Sequence, residues 1–217
     1  MSGEREPVDA LDVERLAAQR GLITLFGGVT FSLAAGEALI VTGRNGSGKT
    51  TLLRIVAGLT APFEGQVRWQ KKLVRPFDAR LRRTVAFSGH MPALKDELTT
   101  QENLAAIVEL NGESAPASAI DEALDAVALD RQRALPIRVL SQGQKRRVSL
   151  ARLYLSRRPL WILDEPLTAL DTDGVAVLGT LLERHLDRGG LCIAASHQPL
   201  PVAASRTGAL ALDAVSA

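Results

Sequence analysis

Cysteine is nearly absent from this chain of 217 residues, which contains only Cys192. A single thiol cannot form an internal disulfide. Cys192 stands in the apolar run Leu191–Ala195, and this context predicts a small, buried core residue that fits a reducing compartment.

Long apolar runs are also absent. No run approaches the roughly 18–20 residues that span a bilayer. The opening segment, Met1 to Asp12, is polar and acidic, so we expect no signal peptide. If the protein acts at a membrane, we therefore expect another subunit to cross it.

An excess of one charge is missing as well. The chain has 26 Lys and Arg against 24 Asp and Glu, a formal net charge of +2, which is too small to predict a nucleic-acid partner. The apolar fraction of 46% and the charged fraction of 23% are typical of a globular protein. The length predicts a single domain over 1–217.

The order of hydrophobic patterns predicts a parallel α/β core with an inserted α-helical subdomain at about 88–158. A capping box at Thr99–Glu102 is expected to start the first inserted helix. The predicted strands are Val29–Leu33, Ala38–Thr42, Gly65–Trp69, Thr84–Phe87, Leu160–Leu163, Leu191–Ala195 and Ala209–Leu212. The predicted helices are Lys49–Ala57, Thr99–Leu110, Ile120–Ala128, Gln142–Arg157 and Val175–Leu186.

A glycine-rich segment from Gly43 to Thr50 reads GRNGSGKT and matches the pattern G-x-x-x-x-G-K-[ST] in full. It stands between a predicted strand and a predicted helix, where its N–H groups can surround a phosphate. Lys49 is then expected to reach the β- and γ-phosphates, and the Thr50 hydroxyl to bind Mg²⁺. The alternative, a glycine-rich turn before an ordinary helix, fits this context less well.

Two acids end the apolar run Leu160–Leu163. Ligands of parallel sheets collect beyond the carboxyl ends of the strands. We therefore expect Asp164 to hold Mg²⁺ and Glu165 to orient or deprotonate the attacking water. Solvated acids at a strand end are common, but the phosphate loop favours the catalytic interpretation.

A third motif, Leu140–Gln144, reads LSQGQ directly before a predicted helix. A serine hydroxyl and a glycine N–H at a helix N-terminus can bind a phosphate, although Ser141 could also be a simple N-cap. With the motifs above, this segment resembles the signature L-S-G-G-Q of the ATP-binding cassette (ABC) family, from which Gln142 departs. The resemblance covers about Leu25 to Asp213.

The resemblance implies a P-loop NTPase core of ABC type that binds ATP and Mg²⁺ and works as a homodimer. It implies that Ser141, Gly143 and Gln144 contact the γ-phosphate held by the other subunit, and that His197 is a catalytic switch histidine. His90 stands where the family has a glutamine, and Arg20 where an aromatic ring stacks on adenine. The other expected nucleotide contacts are Gly43, Arg44, Asn45, Gly46, Ser47, Gly48, Lys49, Thr50 and Thr51.

Within the family, Gly89-His90 and the ending His197-Gln198-Pro199-Leu200 resemble the ATP-binding subunits of cytochrome c maturation systems. That resemblance implies two integral membrane subunits, haem-handling maturation proteins, a haem chaperone and a location on the cytoplasmic face of the bacterial inner membrane. The three histidines are scattered and predict no haem site. Two alternatives are the ATPase of a lipid, lipoprotein or drug exporter and a soluble cassette ATPase acting on DNA or ribosomes. The latter typically carry two cassettes or a coiled-coil insertion, which this sequence lacks.

Overall fold

The computed structural model describes residues 9–215. Residues 1–8, which include most of the polar opening segment, and residues 216–217 lie outside the described part. The strands are β1 (Asp9–Arg20), β2 (Ile23–Ala34), β3 (Ala38–Thr42), β4 (Glu64–Trp69), β5 (Lys72–Leu73), β6 (Val85–Ser88), β7 (Leu160–Asp164), β8 (Leu191–Ala195) and β9 (Thr207–Ala211). The helices are α1 (Lys49–Val56), α2 (Ala79–Thr84), α3 (Thr100–Leu110), α4 (Ala117–Ala126), α5 (Gln142–Leu155) and α6 (Thr172–Asp187). Short 3₁₀ turns lie at Asp130–Gln132, Ile137–Val139, Ala204–Arg206 and Leu212–Val215.

Two sheets form the core. A parallel sheet has the strand order β6-β7-β8-β3-β9, and an antiparallel sheet has the order β2-β1-β4-β5. Ala195 of β8 is in register with both Val41 of β3 and Asp164 of β7. The carboxyl ends of these three strands therefore meet at one edge of the parallel sheet.

Helix α1 packs under that edge. Its Leu52 and Leu53 side chains are fully buried in the same hydrophobic cluster as Phe26 of β2. Every residue of β7 and β8 is buried, as expected for central strands covered on both faces. Cys192 is among them, and burial raises the pKa of its thiol to about 12. The prediction of a buried core cysteine is confirmed.

The inserted helices α3, α4 and α5 pack into a second apolar cluster, in which Leu104, Leu124 and Val148 join Trp161 of β7 and Cys192 of β8. The predicted capping box is confirmed. The Thr99 hydroxyl accepts a hydrogen bond from the Glu102 N–H at 3.2 Å, and the Glu102 carboxylate accepts one from the Thr99 N–H at 2.8 Å. The hydrogen bond from the Thr99 backbone lowers the pKa of Glu102. No helix in residues 9–215 is both long and apolar enough to cross a membrane.

The sequence prediction missed β1, β5 and α2, and it gave β2 only as its second half. The prediction missed β1 because this strand pairs irregularly with β2. Its register with β2 shifts between Val13 and Leu16 and again near Ala18, and Arg15 has a positive φ of 45°. Each shift changes the face on which the following side chains lie, so β1 has no regular alternation of apolar and polar residues.

Candidate nucleotide site

The glycine-rich segment connects β3 to α1 as predicted. Gly48 has a φ of 96°, and a Cβ at this position would lie 2.8 Å from Cδ1 of Phe26. Gly43 has a φ of 146°, and a Cβ there would lie 2.7 Å from the Ser47 hydroxyl oxygen. Larger residues at these two positions would strain the backbone and displace their neighbours. The turn needs glycine for both its conformation and its close packing.

The loop presents hydrogen-bonding groups suited to an anion. The Ser47 hydroxyl is buried and has no hydrogen-bond partner among the described residues. Lys49 begins α1 and is only 8% exposed, and its Nζ donates to the carbonyl oxygens of Gly43 at 2.6 Å and Arg44 at 3.2 Å. An unpartnered hydroxyl and an ammonium group beside a helix N-terminus fit a bound phosphate.

Thr50 and Asp164 come together across the sheet edge. The Thr50 hydroxyl donates to Oδ2 of Asp164 at 2.9 Å, and Asp164 is 4% exposed at the end of β7. A hydroxyl and a carboxylate at this distance are hard oxygen ligands of the kind that Mg²⁺ prefers. Both residues predicted to hold the metal therefore lie where one ion could contact them.

Glu165 follows Asp164 with a φ of 49°, a left-handed conformation that is rare outside glycine. Its N–H donates to the Ala195 carbonyl at 2.9 Å, which ties the residue to the end of β8. Its Oε1 lies 3.5 Å from Nε2 of His197, and the same nitrogen lies 3.3 Å from Nζ of Lys49. The three residues predicted to be catalytic are therefore neighbours.

The signature segment lies apart from this cluster. Ser141 is the N-cap of α5: its hydroxyl accepts from the Gln144 N–H at 3.2 Å, and the Gln144 side chain accepts from the Ser141 N–H at 2.9 Å. A Cβ at Gly143 would lie 3.2 Å from the Ala169 carbonyl, so the segment borders the loop Thr168–Asp171. Within the described residues, no hydrogen bond joins the signature to the phosphate loop.

Two further predicted residues lie on the surface. Arg20 is exposed at the turn between β1 and β2, paired with Ile23. His90 is exposed in the loop after β6, and its backbone carbonyl accepts a hydrogen bond from Arg146 at 3.4 Å.

Two contacts of the site are not predicted by the sequence. The Asp213 carboxylate accepts from the Arg44 N–H at 2.8 Å and so anchors the phosphate loop to the C-terminal 3₁₀ turn. Arg146 donates to the carbonyl oxygens of both Asp164 and Glu165. In each case one partner is a main-chain group, which any residue could supply, so only the fold reveals the contact.

Residues 26–168, from Phe26 in β2 to Thr168 beyond β7, match the ABC transporter family. The chain belongs to that family. The match includes the phosphate loop, the signature segment and the two acids at the end of β7, Asp164 and Glu165.

Several curated members of the ABC family are similar to this chain over nearly their whole length. The cytochrome c biogenesis ATP-binding export protein CcmA 1 of Cupriavidus metallidurans is 48% identical over 203 residues, which are 94% of this chain and 97% of that protein. The protein of the same name, CcmA, from Pseudomonas aeruginosa is 48% identical over 92% of this chain and 97% of its own length. The CcmA protein of Dechloromonas aromatica is 42% identical over 93% and 99%.

Solved structures of ABC proteins share the fold. An ABC transporter ATP-binding protein from Pyrococcus furiosus superposes with a TM-score of 0.81 at 23% identity, covering 95% of this chain and 99% of its own. The ATP-binding cassette MJ0796, solved as a dimer in a post-hydrolysis state with ADP and Pi, has a TM-score of 0.73 at 25% identity, covering 87% and 88%. The predicted core of ABC type is confirmed.

Proposed function

We propose that this chain is the ATP-hydrolysing subunit of an ABC transporter complex that serves c-type cytochrome biogenesis, through haem export or release of the loaded haem chaperone. The role in cytochrome c biogenesis is proposed from the name shared by relatives that are 42–48% identical over at least 92% of the chain. The observation that supports the chemistry is the convergence of Lys49, Thr50, Asp164, Glu165 and His197 at one sheet edge.

In this proposal the phosphate loop holds ATP. The N–H groups of Gly43–Thr51 donate hydrogen bonds to the phosphates, and the ammonium of Lys49 offsets their negative charge. When ATP binds, Lys49 exchanges its hydrogen bonds to the Gly43 and Arg44 carbonyls for hydrogen bonds to phosphate oxygens. Thr50 and Asp164 bind Mg²⁺, which supplies charge neutralisation at the phosphates. The unpartnered Ser47 hydroxyl and the Thr50–Asp164 pair fit these two ligands.

Glu165 is the residue proposed to orient or deprotonate the attacking water. Asp164 is paired with Thr50 as a metal ligand, whereas the Glu165 carboxylate lies 3.5 Å from His197. His197 contacts the γ-phosphate from the side of β8. His197 lies beside the Lys49 ammonium and next to Glu165, so a γ-phosphate held by that ammonium would be within reach of His197.

A second copy of the chain is proposed to complete the site. Ser141 is exposed at the N-terminus of α5 and makes no hydrogen bond to its own phosphate loop within the described residues, so its phosphate-binding geometry is free for the partner's nucleotide. The dimeric MJ0796 cassette with ADP and Pi supports this arrangement. We place two such ATPases with two integral membrane subunits, on the cytoplasmic face of the inner membrane and with no nucleic-acid partner.

The membrane subunit is proposed to dock near His90–Glu102. Met91 is 80% exposed in this segment, and α3 starts there at a rigid capping box. The His90 carbonyl in the same loop accepts a hydrogen bond from Arg146, so a single side chain would connect a partner bound there to the main chain of Glu165.

Size-exclusion chromatography of a Glu165→Gln protein tests the enzyme part of the proposal. The substitution keeps the shape of the side chain but removes the carboxylate, which commonly costs about 10²–10³-fold in rate. We expect an ATP-dependent dimer that persists because hydrolysis no longer releases it, whereas Glu165→Gln combined with Ser141→Arg stays monomeric with ATP. A Glu165→Gln protein with the wild-type rate of hydrolysis would exclude Glu165 as the base.

A further inference from the structure

Arg146 is a buried cation to which the sequence motifs assign no role. It lies on α5, two residues after the signature, and is only 5% exposed. Burial lowers the pKa of its guanidinium, while the nearby carboxylates of Asp164 and Glu165 act in the opposite direction. Among the described residues it forms no ion pair. Burying a charge in this way is costly unless hydrogen bonds satisfy it.

The hydrogen bonds of Arg146 all reach main-chain carbonyls, and they join two loops. Nη1 donates to Gly89 at 3.2 Å and to His90 at 3.4 Å, in the loop after β6. Nη2 donates to Asp164 at 3.2 Å and to Glu165 at 2.6 Å, in the loop after β7. The planar, forked guanidinium offers one NH2 group to each loop, whereas a lysine ammonium has all its donors on one nitrogen.

The hydrogen bond from Arg146 to the Glu165 carbonyl is made to a residue in a strained backbone conformation, with a φ of 49°. Non-glycine residues with a positive φ persist only where their surroundings fix the conformation. The peptide before Glu165 is held by its N–H bond to Ala195, and the peptide after it is held by Arg146. The Glu165 carbonyl also accepts a hydrogen bond from the Thr168 N–H at 3.2 Å, within the same loop. Arg146 is the side chain that holds the peptides on both sides of Glu165, through the Asp164 and Glu165 carbonyls. Its loss would leave only main-chain hydrogen bonds among the described contacts to oppose relaxation of the backbone that directs the Glu165 carboxylate.

We propose that Arg146 is a positioning residue for ATP hydrolysis, holding Glu165 in its left-handed conformation and linking it to the His90 loop. Because α5 also carries Ser141 at its N-terminus, the guanidinium connects the signature helix, the His90 loop and the loop of Glu165. A displacement of α5 or of the His90 loop is thereby passed to the carboxylate that acts on water. The inference rests on the proposed role of Glu165.

The test compares Arg146→Lys with Arg152→Lys in the full-length protein, together with any membrane subunits that co-purify. Arg152 is a matched control, since it lies on the same helix, its pKa is also lowered by burial, and it donates to the Phe87 carbonyl without touching the Glu165 loop. We expect Arg146→Lys to lower kcat by up to about 10²-fold, the effect of a small misplacement, with the KM for ATP near the wild-type value. Arg152→Lys is expected to keep kcat, with any loss confined to the unfolding temperature.

A double-mutant comparison separates positioning from a general structural role. In a Glu165→Gln background the carboxylate that Arg146 positions is gone, so adding Arg146→Lys should leave the residual rate unchanged. An equal fall in both backgrounds would mean that Arg146 supports the whole site and would overturn the proposal. If Arg146→Lys does not fold, as judged by circular dichroism and ADP affinity, the same comparison is made with Arg146→Gln, which introduces no buried charge.

The remaining outcomes are distinguishable. Wild-type kcat in a folded Arg146→Lys protein, alongside a strong loss in Glu165→Gln, would overturn this inference and leave the proposed function standing. Wild-type kcat in Glu165→Gln would remove the catalytic role of Glu165 and the inference with it.

Discussion

The Nζ atom of Lys49 lies 3.3 Å from Nε2 of His197, a residue 148 positions further along the chain. One comes from the start of α1 and the other from the loop after β8, and the parallel order of β3 and β8 brings them to the same sheet edge. Glu165 joins them from β7 at 3.5 Å from His197. The cation, imidazole and carboxylate that the proposed reaction needs are thus placed by three neighbouring strands.

Lys49→Ala is expected to remove ATP hydrolysis while the fold survives. Within residues 9–215 the ammonium makes polar contacts to loop carbonyls and to His197, so its loss should change the unfolding temperature little. ATPase assays and circular dichroism measure the two effects. Lys72→Ala, an exposed lysine of β5, is the control and should behave as wild type. Hydrolysis by a well-folded Lys49→Ala protein would refute the assignment of the phosphate loop.

Arg20→Ala is expected to weaken binding of ATP and GTP alike if the guanidinium stacks on the base, because stacking contacts the ring face and not the base edge. The loss should be about 0.5–2 kcal/mol, the range of cation–π contacts. Titration calorimetry with both nucleotides gives the affinities, and Arg131→Ala, another exposed arginine, is the control. Unchanged affinity in Arg20→Ala would make Arg20 an ordinary surface residue.

The stability of the protein is expected to fall in mild acid through His185. This ring stacks on Trp161 with centroids 3.9 Å apart, its Nε2 lies 3.1 Å from the Leu191 carbonyl, and burial lowers its pKa below 6.5. The folded state therefore favours neutral His185. The resulting stability is fully present above pH 6.5, the ordinary pKa of the unfolded chain, and is lost as the pH falls below it.

Urea unfolding at a series of pH values measures this effect. Between about pH 6.5 and 5.5 the free energy of unfolding should fall by up to about 1.4 kcal/mol per pH unit from this group. The fall should be shallower in His185→Gln and unchanged in His90→Gln, which alters an exposed histidine. Equal slopes in wild type and His185→Gln would show that His185 does not contribute.

The catalytic motifs could be located from the sequence because their chemistry requires particular side chains at short spacing. Gly43–Thr50 and the pair Asp164–Glu165 are examples, and the structure places them at one edge. The residues that hold these motifs in place could not be located in the same way. Asp213 binds the Arg44 N–H, and Arg146 binds carbonyl oxygens, so each pairs with a main-chain group at long range. Strand β1 could not be predicted either, because its irregular pairing removes the alternation of apolar and polar residues.

The most direct test of the central claim is the amount of covalently attached haem in c-type cytochromes of a strain that lacks this gene. We expect it to be lost while b-type cytochromes remain, because the proposed complex acts only on the covalent maturation route. The wild-type gene should restore c-type cytochromes, and Lys49→Ala and Glu165→Gln should not. Normal c-type cytochromes in the deletion strain would contradict the proposed process and leave only membership of the ABC family.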